Sequence, residues 1–164
     1  MFKCSMNHRP DWSTAVLAGV IAGTSATLVQ MLLWLVFTDA FPAILFRDAR
    51  LTAALVLGSS VLPPPATFDT GIMLAATLVH FALSVVYAAL LARLTSGLEN
   101  IPALLAGAAF GIVLYFINLY GFTAVFPWFA QARGWITLIA HAVFGVTVTL
   151  VCRYPSVKNT QGIS

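Results

Sequence analysis

Charged residues are missing from four long stretches of this chain: Trp12 to Thr38, Thr70 to Ala92, Asn100 to Ala132 and Gly134 to Cys152. About 20 mostly apolar residues carry a helix across the hydrocarbon core of a bilayer. In lipid every backbone N–H and C=O must be satisfied within the spanning structure, which makes a charge-free stretch of this length a helix. Only 8% of the 164 residues are charged and 60% are hydrophobic, whereas a soluble domain carries roughly a quarter charged residues. The solvent for most of this chain is therefore lipid. The expected fold is an all-α integral membrane protein, one four-transmembrane-helix bundle domain. Its spans lie at about 13–38, 69–94, 102–126 and 135–152, with an outer loop at 39–68 and a polar C-terminal tail at 153–164. The first stretch exceeds the roughly 7–15 apolar residues of a signal peptide and is read as a retained span.

Local punctuation refines these limits. Arg47-Asp48-Ala49-Arg50 followed by the apolar run Leu51 to Leu57 predicts a short helix lying in the membrane interface. Pro63-Pro64-Pro65 ends any helix in that loop. Thr67 or Asp69 is the expected cap of the second span, and Pro102 suits the first turn of the third. Trp128 and Trp135 are expected at one membrane–water boundary.

The net charge of +3 comes from eight Lys/Arg and five Asp/Glu. The positive residues sit at span ends and in the tails, with no basic run, which excludes a nucleic-acid footprint and leaves the bilayer as the expected partner. Lys3, Arg9, Arg93, Arg153 and Lys158 flank one side, and Arg47, Arg50 and Arg133 the other. That asymmetry predicts both termini in the cytoplasm. Cys4 and Cys152 form no C-x-x-C pair and are expected as unpaired thiols on that reducing side.

The two halves of the chain share a pattern. Leu17-Ala18-Gly19, Gly23 and Gln30 are matched by Leu105-Ala106-Gly107, Gly111 and Asn118. In the next span of each half, His80 with Ser84 is matched by His141 with Gly145. The bundle is accordingly expected to consist of two helical-hairpin repeats in parallel orientation, related by an axis along the membrane normal. Gly19, Gly23, Gly107, Gly111, Ser84 and Gly145 are expected as helix-packing positions, since small residues let helix backbones approach closely in lipid. The first span against the third, or against another chain, is the expected contact.

Gln30, His80, Asn118 and His141 form a predicted polar layer near mid-membrane. Three readings of that layer stand side by side. The four residues are neutral hydrogen-bonding links between helices, or they line a path for a proton or small solute, or His80 and His141 are axial ligands of a b-type haem. No Asp, Glu, Lys or Arg lies at that depth to serve a charge-coupled pump. No G-x-S-x-G, H-E-x-x-H, phosphate loop or carboxylate pair is present, so no catalytic residue and no metal site are expected.

Val61-Leu62-Pro63-Pro64-Pro65-Ala66-Thr67-Phe68-Asp69 and Tyr115-Phe116-Ile117-Asn118-Leu119-Tyr120-Gly121-Phe122, with Phe126-Pro127-Trp128-Phe129-Ala130 behind the latter, carry a resemblance. They resemble small bacterial four-helix inner-membrane proteins of uncharacterised function, some of which bear the label "sodium:proline symporter". The resemblance implies the fold and the bacterial inner membrane, and it brings no site residues. The expected function is a non-enzymatic accessory or scaffold element, as a homo-oligomer or a subunit of a larger membrane complex. A small permease or proton-conducting module and a bis-histidine haem electron carrier are the alternatives.

Overall fold

In a computed structural model, described over residues 12–153, each charge-free stretch is helical. Helix α1 spans Trp12–Phe37, α2 spans Ala43–Leu57, α3 spans Thr70–Thr95, α4 spans Asn100–Phe116 and α5 spans Trp135–Arg153. Among the described residues four helices are long and apolar enough to cross a membrane: Trp12–Phe37, Thr70–Thr95, Asn100–Ala124 and Trp135–Arg153. The chain is an all-α, multi-pass membrane bundle, as expected. Lys3, Cys4, Arg9, Lys158 and the tail beyond Arg153 lie outside the described residues.

The spanning helices carry apolar residues on every side, the mark of a segment surrounded by lipid and protein together. Leu35, Leu78 and Leu105 are 63%, 63% and 67% exposed, on surfaces that lipid would cover, while Ala18, Ala22, Ala88 and Val148 are fully buried. Around the bundle the helices follow the order α3, α1, α5, α4, with α1 packed along α5 and each hairpin, α1/α3 and α4/α5, packed on itself. Consecutive α3 and α4 meet only sparsely. The ring is therefore open between them.

The glycines act at the hairpin crossings. A Cβ on Gly19 would meet the backbone of Val85 and Ser84, and one on Gly23 would meet Ser84 Oγ at 2.8 Å and His80 Nε2 at 3.1 Å. In the second hairpin a Cβ on Gly107 would meet Gly145 and Thr149, and one on Gly111 would meet the backbone of His141 and Ala142. The crossings thus fall at matching residues of the two halves. The predicted contact of the first span with the third is corrected: α1 and α4 scarcely touch, and each glycine face serves its own hairpin. Strict two-fold symmetry is also broken, because α1 packs closely on α5 while the equivalent pair, α4 and α3, stands apart.

At the end bearing the termini, Ala18, Ala22, Ala88, Leu91, Ala92, Phe144 and Val148 close the interior. Arg153 secures this end by donating to Asn100 Oδ1 at 2.9 Å, Thr95 O at 3.0 Å and Leu98 O at 2.8 Å in the α3–α4 turn. At the opposite, loop end α2 does more than rest in the interface. Leu51 and Ala53 are fully buried, and Leu51 packs with Tyr115, Leu119 and Ala132 inside the bundle. Trp128, expected as a boundary anchor, donates its indole N–H to Leu51 O at 3.0 Å and so holds α2 in place. Arg50, buried on the other side of α2, donates to Val61 O and Thr67 O, both at 3.2 Å, and draws the following loop against the helix. Helix α2 ends at Gly58, whose φ of 83° suits glycine, ahead of the prolines. Asp69 caps α3 by accepting from Ile72 N at 2.9 Å.

Candidate functional site

The four residues of the predicted polar layer all line one cavity of about 610 Å³ in the loop-end half of the bundle. Helical spacing explains the convergence. Gln30 and Thr27 lie on one face of α1, three residues apart, as do His80, Ser84 and Tyr87 on α3. Asn118 sits in a short π-helical segment, Ile117–Gly121, that continues α4. The wider turn leaves Leu119 O to accept from Arg133 Nε at 2.8 Å, while the Arg133 guanidinium lies 4.1 Å from the Tyr120 ring centre. Arg133, two residues before α5, thereby holds the departure from α-helix that places Asn118. Single π turns of this kind occur frequently at functional sites.

Hydrogen bonds join most of these residues into one network. His141 Nδ1 lies 2.8 Å from Thr137 O, which can only accept, so Nδ1 carries the proton and Nε2 is the acceptor. Asn118 Nδ2 is the donor to that Nε2 at 3.5 Å, and Asn118 Oδ1 accepts from Tyr87 O–H at 3.1 Å. Gln30 Nε2 donates to Thr137 Oγ1 at 3.4 Å, linking α1 to α5. His80 belongs to a separate cluster, with Nε2 at 3.4 Å from Gly23 O and 3.3 Å from Thr27 Oγ1. Because Gly23 O only accepts, the His80 proton sits on Nε2, and its Nδ1 lone pair has no partner among the described residues.

Ser84 and Gly145, expected as packing positions, lie at the two crossings, and Ser84 also lines the cavity. Sequence reasoning missed Thr27, Trp34, Tyr87, Thr137 and Asp48, which also line it. Thr27, Tyr87 and Thr137 stand three, seven and four residues from Gln30, His80 and His141, so helical spacing from the predicted layer was the signal for them. Asp48 comes from α2 and is ion-paired to Arg47 at 2.7 Å. Burial raises its carboxyl above the ordinary range, and the Arg47 charge opposes that rise.

The remaining surface of the cavity is apolar, from Leu28, Phe81, Leu83, Leu114, Phe122 and Phe144 among others. The two imidazoles are not wired alike. His141 donates Nδ1–H to a carbonyl, the usual support of a ligating imidazole, whereas His80 engages through Nε2 itself. Among the described residues no three His, Cys, Asp or Glu side chains come together as a metal site. Comparison with family models, curated proteins and solved structures gives no match to this chain.

Proposed function

We propose that this chain is a non-enzymatic protein of the bacterial inner membrane that binds a small neutral solute within its bundle, in the manner of a small permease or solute-binding module. The observation that carries the reading is the cavity. Its volume, about 610 Å³, lies within the roughly 300–1,000 Å³ of small-molecule sites, and its few convergent polar groups stand in mostly apolar walls, the usual make-up of such a site. A purely scaffolding element, the leading sequence expectation, gains nothing from this space. Interiors pack to crystal density, and a void costs stability in proportion to its size. The groups facing the cavity at mid-depth are amides, imidazoles, hydroxyls and a phenol. They offer hydrogen bonds and no fixed charge, which suits a neutral solute and not an ion.

A continuous pore is disfavoured by the alanine-rich core that closes the terminal end below the polar layer. Binding with occlusion fits better. The Lys and Arg asymmetry supports an orientation with both termini in the cytoplasm and α2 on the outer side.

The test is thermal unfolding of the purified protein in detergent against a panel of neutral solutes. A ligand that binds only the folded state raises the midpoint with concentration. Asn118→Leu and His141→Ala should each weaken that shift, by about three- to tenfold in ligand concentration for one lost hydrogen bond. A panel that leaves the wild-type midpoint unmoved sinks the reading. So does an equal shift in both variants.

A further inference from the structure

The cavity is closed by packed side chains at the terminal end and lined by α2 at the loop end. At the terminal end the crossing residues Ala18, Ala22, Ala88 and Val148 have no exposed surface. At the loop end α2 packs along α3 and lines the cavity through Leu45, Asp48, Leu51 and Thr52, with Leu51 wholly buried and pinned by Trp128. The cavity nevertheless opens sideways. Its lining side chains Leu28, Leu83 and Phe122 are 60%, 39% and 44% exposed, on the flank of helices that the bilayer surrounds. Helices α3 and α4 meet only sparsely, and the seam between them is lined by Leu83 and Tyr87 on one side and by Leu114 and the following Asn118 and Phe122 on the other, bridged by Tyr87 O–H to Asn118 Oδ1 at 3.1 Å.

We propose that the ligand enters laterally from the bilayer through the α3–α4 seam and is a neutral, lipid-soluble molecule with a hydroxyl head held by Gln30 and His80. This deepens the binding function proposed above and rests on it. A molecule that reaches the site through lipid must itself partition into lipid, so its body is apolar, like the Phe81, Leu114, Phe122 and Phe144 walls. Its head must be uncharged. Arg50 is turned to Val61 O and Thr67 O, and Arg133 to Leu119 O. The one acid on the cavity wall, Asp48, is neutralised by Arg47. Neither a carboxylate nor an ammonium finds a free counter-charge there, and an unpaired charge at this depth is expensive.

The polar groups left over define the head. His80 Nδ1 is an acceptor with no protein partner among the described residues. Gln30 uses one N–H toward Thr137 and retains its carbonyl oxygen and second N–H. A hydroxyl donates to one such acceptor and accepts from the amide. A bare ether or a ketone satisfies only half of this set, leaving a half-buried acceptor unpaired.

The experiment uses the full chain in lipid nanodiscs with two photoreactive probes, a diazirine-bearing hexadecanol and a diazirine-bearing butanol. Labelled residues are mapped by mass spectrometry. Saturable labelling of cavity residues such as Phe81, Leu114 and Phe122 by the hexadecanol, displaced by unlabelled hexadecanol, is expected. Leu35 and Leu105, on the lipid face, should label in proportion to probe without saturating. Gln30→Leu and His80→Leu should each raise the half-saturating probe concentration about three- to tenfold, the worth of one hydrogen bond. Should either fold poorly, Leu83→Trp provides a second route, because it adds bulk at an exposed position on the seam. It should lower saturable labelling at an unchanged unfolding midpoint. Saturable labelling by butanol alone overturns lateral entry and leaves the binding function standing. No saturable labelling by either probe overturns both. A second copy of the chain cross-linked into the seam overturns the ligand assignment in favour of a helix–helix contact.

Discussion

Gly111 and Gly145 show how single residues govern this bundle. Any side chain at Gly111 enters the backbone of His141 and Ala142, and any at Gly145 enters that of Gly107 and Gly111. A backbone cannot rotate aside as a side chain does, so the helices must separate. Gly111→Ala is expected to destabilise the protein by about 1–3 kcal/mol or more, the usual cost of overpacking, measured by unfolding in mixed detergent. Gly97→Ala is the control, since nothing lies within 4 Å of a Cβ there, and it should leave stability within about 0.5 kcal/mol of wild type. Equal effects of the two would contradict the crossing geometry. These contacts were half legible in the sequence. The Gly-x-x-x-Gly spacing announced a close approach on one helix face, but spacing says nothing about which helix comes near. Gln30, His80, Asn118 and His141 were legible for a different reason: polar side chains in a span avoid lipid and turn to the interior. Thr27, Tyr87 and Thr137 were legible only through their helical spacing from those four, because threonine and tyrosine are common enough in spans to carry no signal alone.

Among the elements, α2 departs furthest from expectation. Its charged start and apolar run suggested a helix resting on the membrane surface. It docks instead, since Leu51 finds a pocket formed by Tyr115, Leu119 and Ala132, and Trp128 supplies a donor to its backbone. Docking buries Asp48, whose raised carboxyl pKa reflects that burial, against the pull of Arg47. A group whose folded pKa is raised contributes stability that is complete below its unfolded pKa and is lost as pH rises through the folded value. Protection of the α2 amides in hydrogen exchange, corrected for the intrinsic rate, should therefore fall as pH rises from the acid range toward neutral. Asp48→Asn, uncharged throughout, should flatten that dependence. A wild-type profile already flat over this range would show that Asp48 stays solvated. The π segment Ile117–Gly121 is the other surprise within a predicted helix. It depends on Arg133 accepting the role of donor to Leu119 O, a contact across 14 residues that no local propensity encodes.

For the whole molecule, the four spans among the described residues place Trp12 and Arg153 on one side of the membrane. Reporters fused at the two ends should read the same compartment, and the orientation proposed from the Lys and Arg asymmetry predicts that it is the cytoplasm. Opposite readings would break the four-span topology; two outward readings would reverse only its orientation. The sequence by itself determined the number, position and lipid surroundings of the spans, because charge depletion and length are properties of each segment alone. It also marked Gly19, Gly23, Gly107 and Gly111 as faces of close approach, because that spacing belongs to one helix alone, but it did not name the helix that each face meets. Tertiary structure alone decided that α1 packs along α5, that α3 and α4 meet only sparsely, and that α2 packs along α3 and lines the cavity. The physical reason lies in the solvent. A helix in water is polar on its outer face, so its pattern reveals the buried side, whereas lipid accepts apolar residues on both. With no such contrast along these spans, the partner of each face is chosen by the fit of small and large side chains between helices, and the cavity lies where that fit is left incomplete.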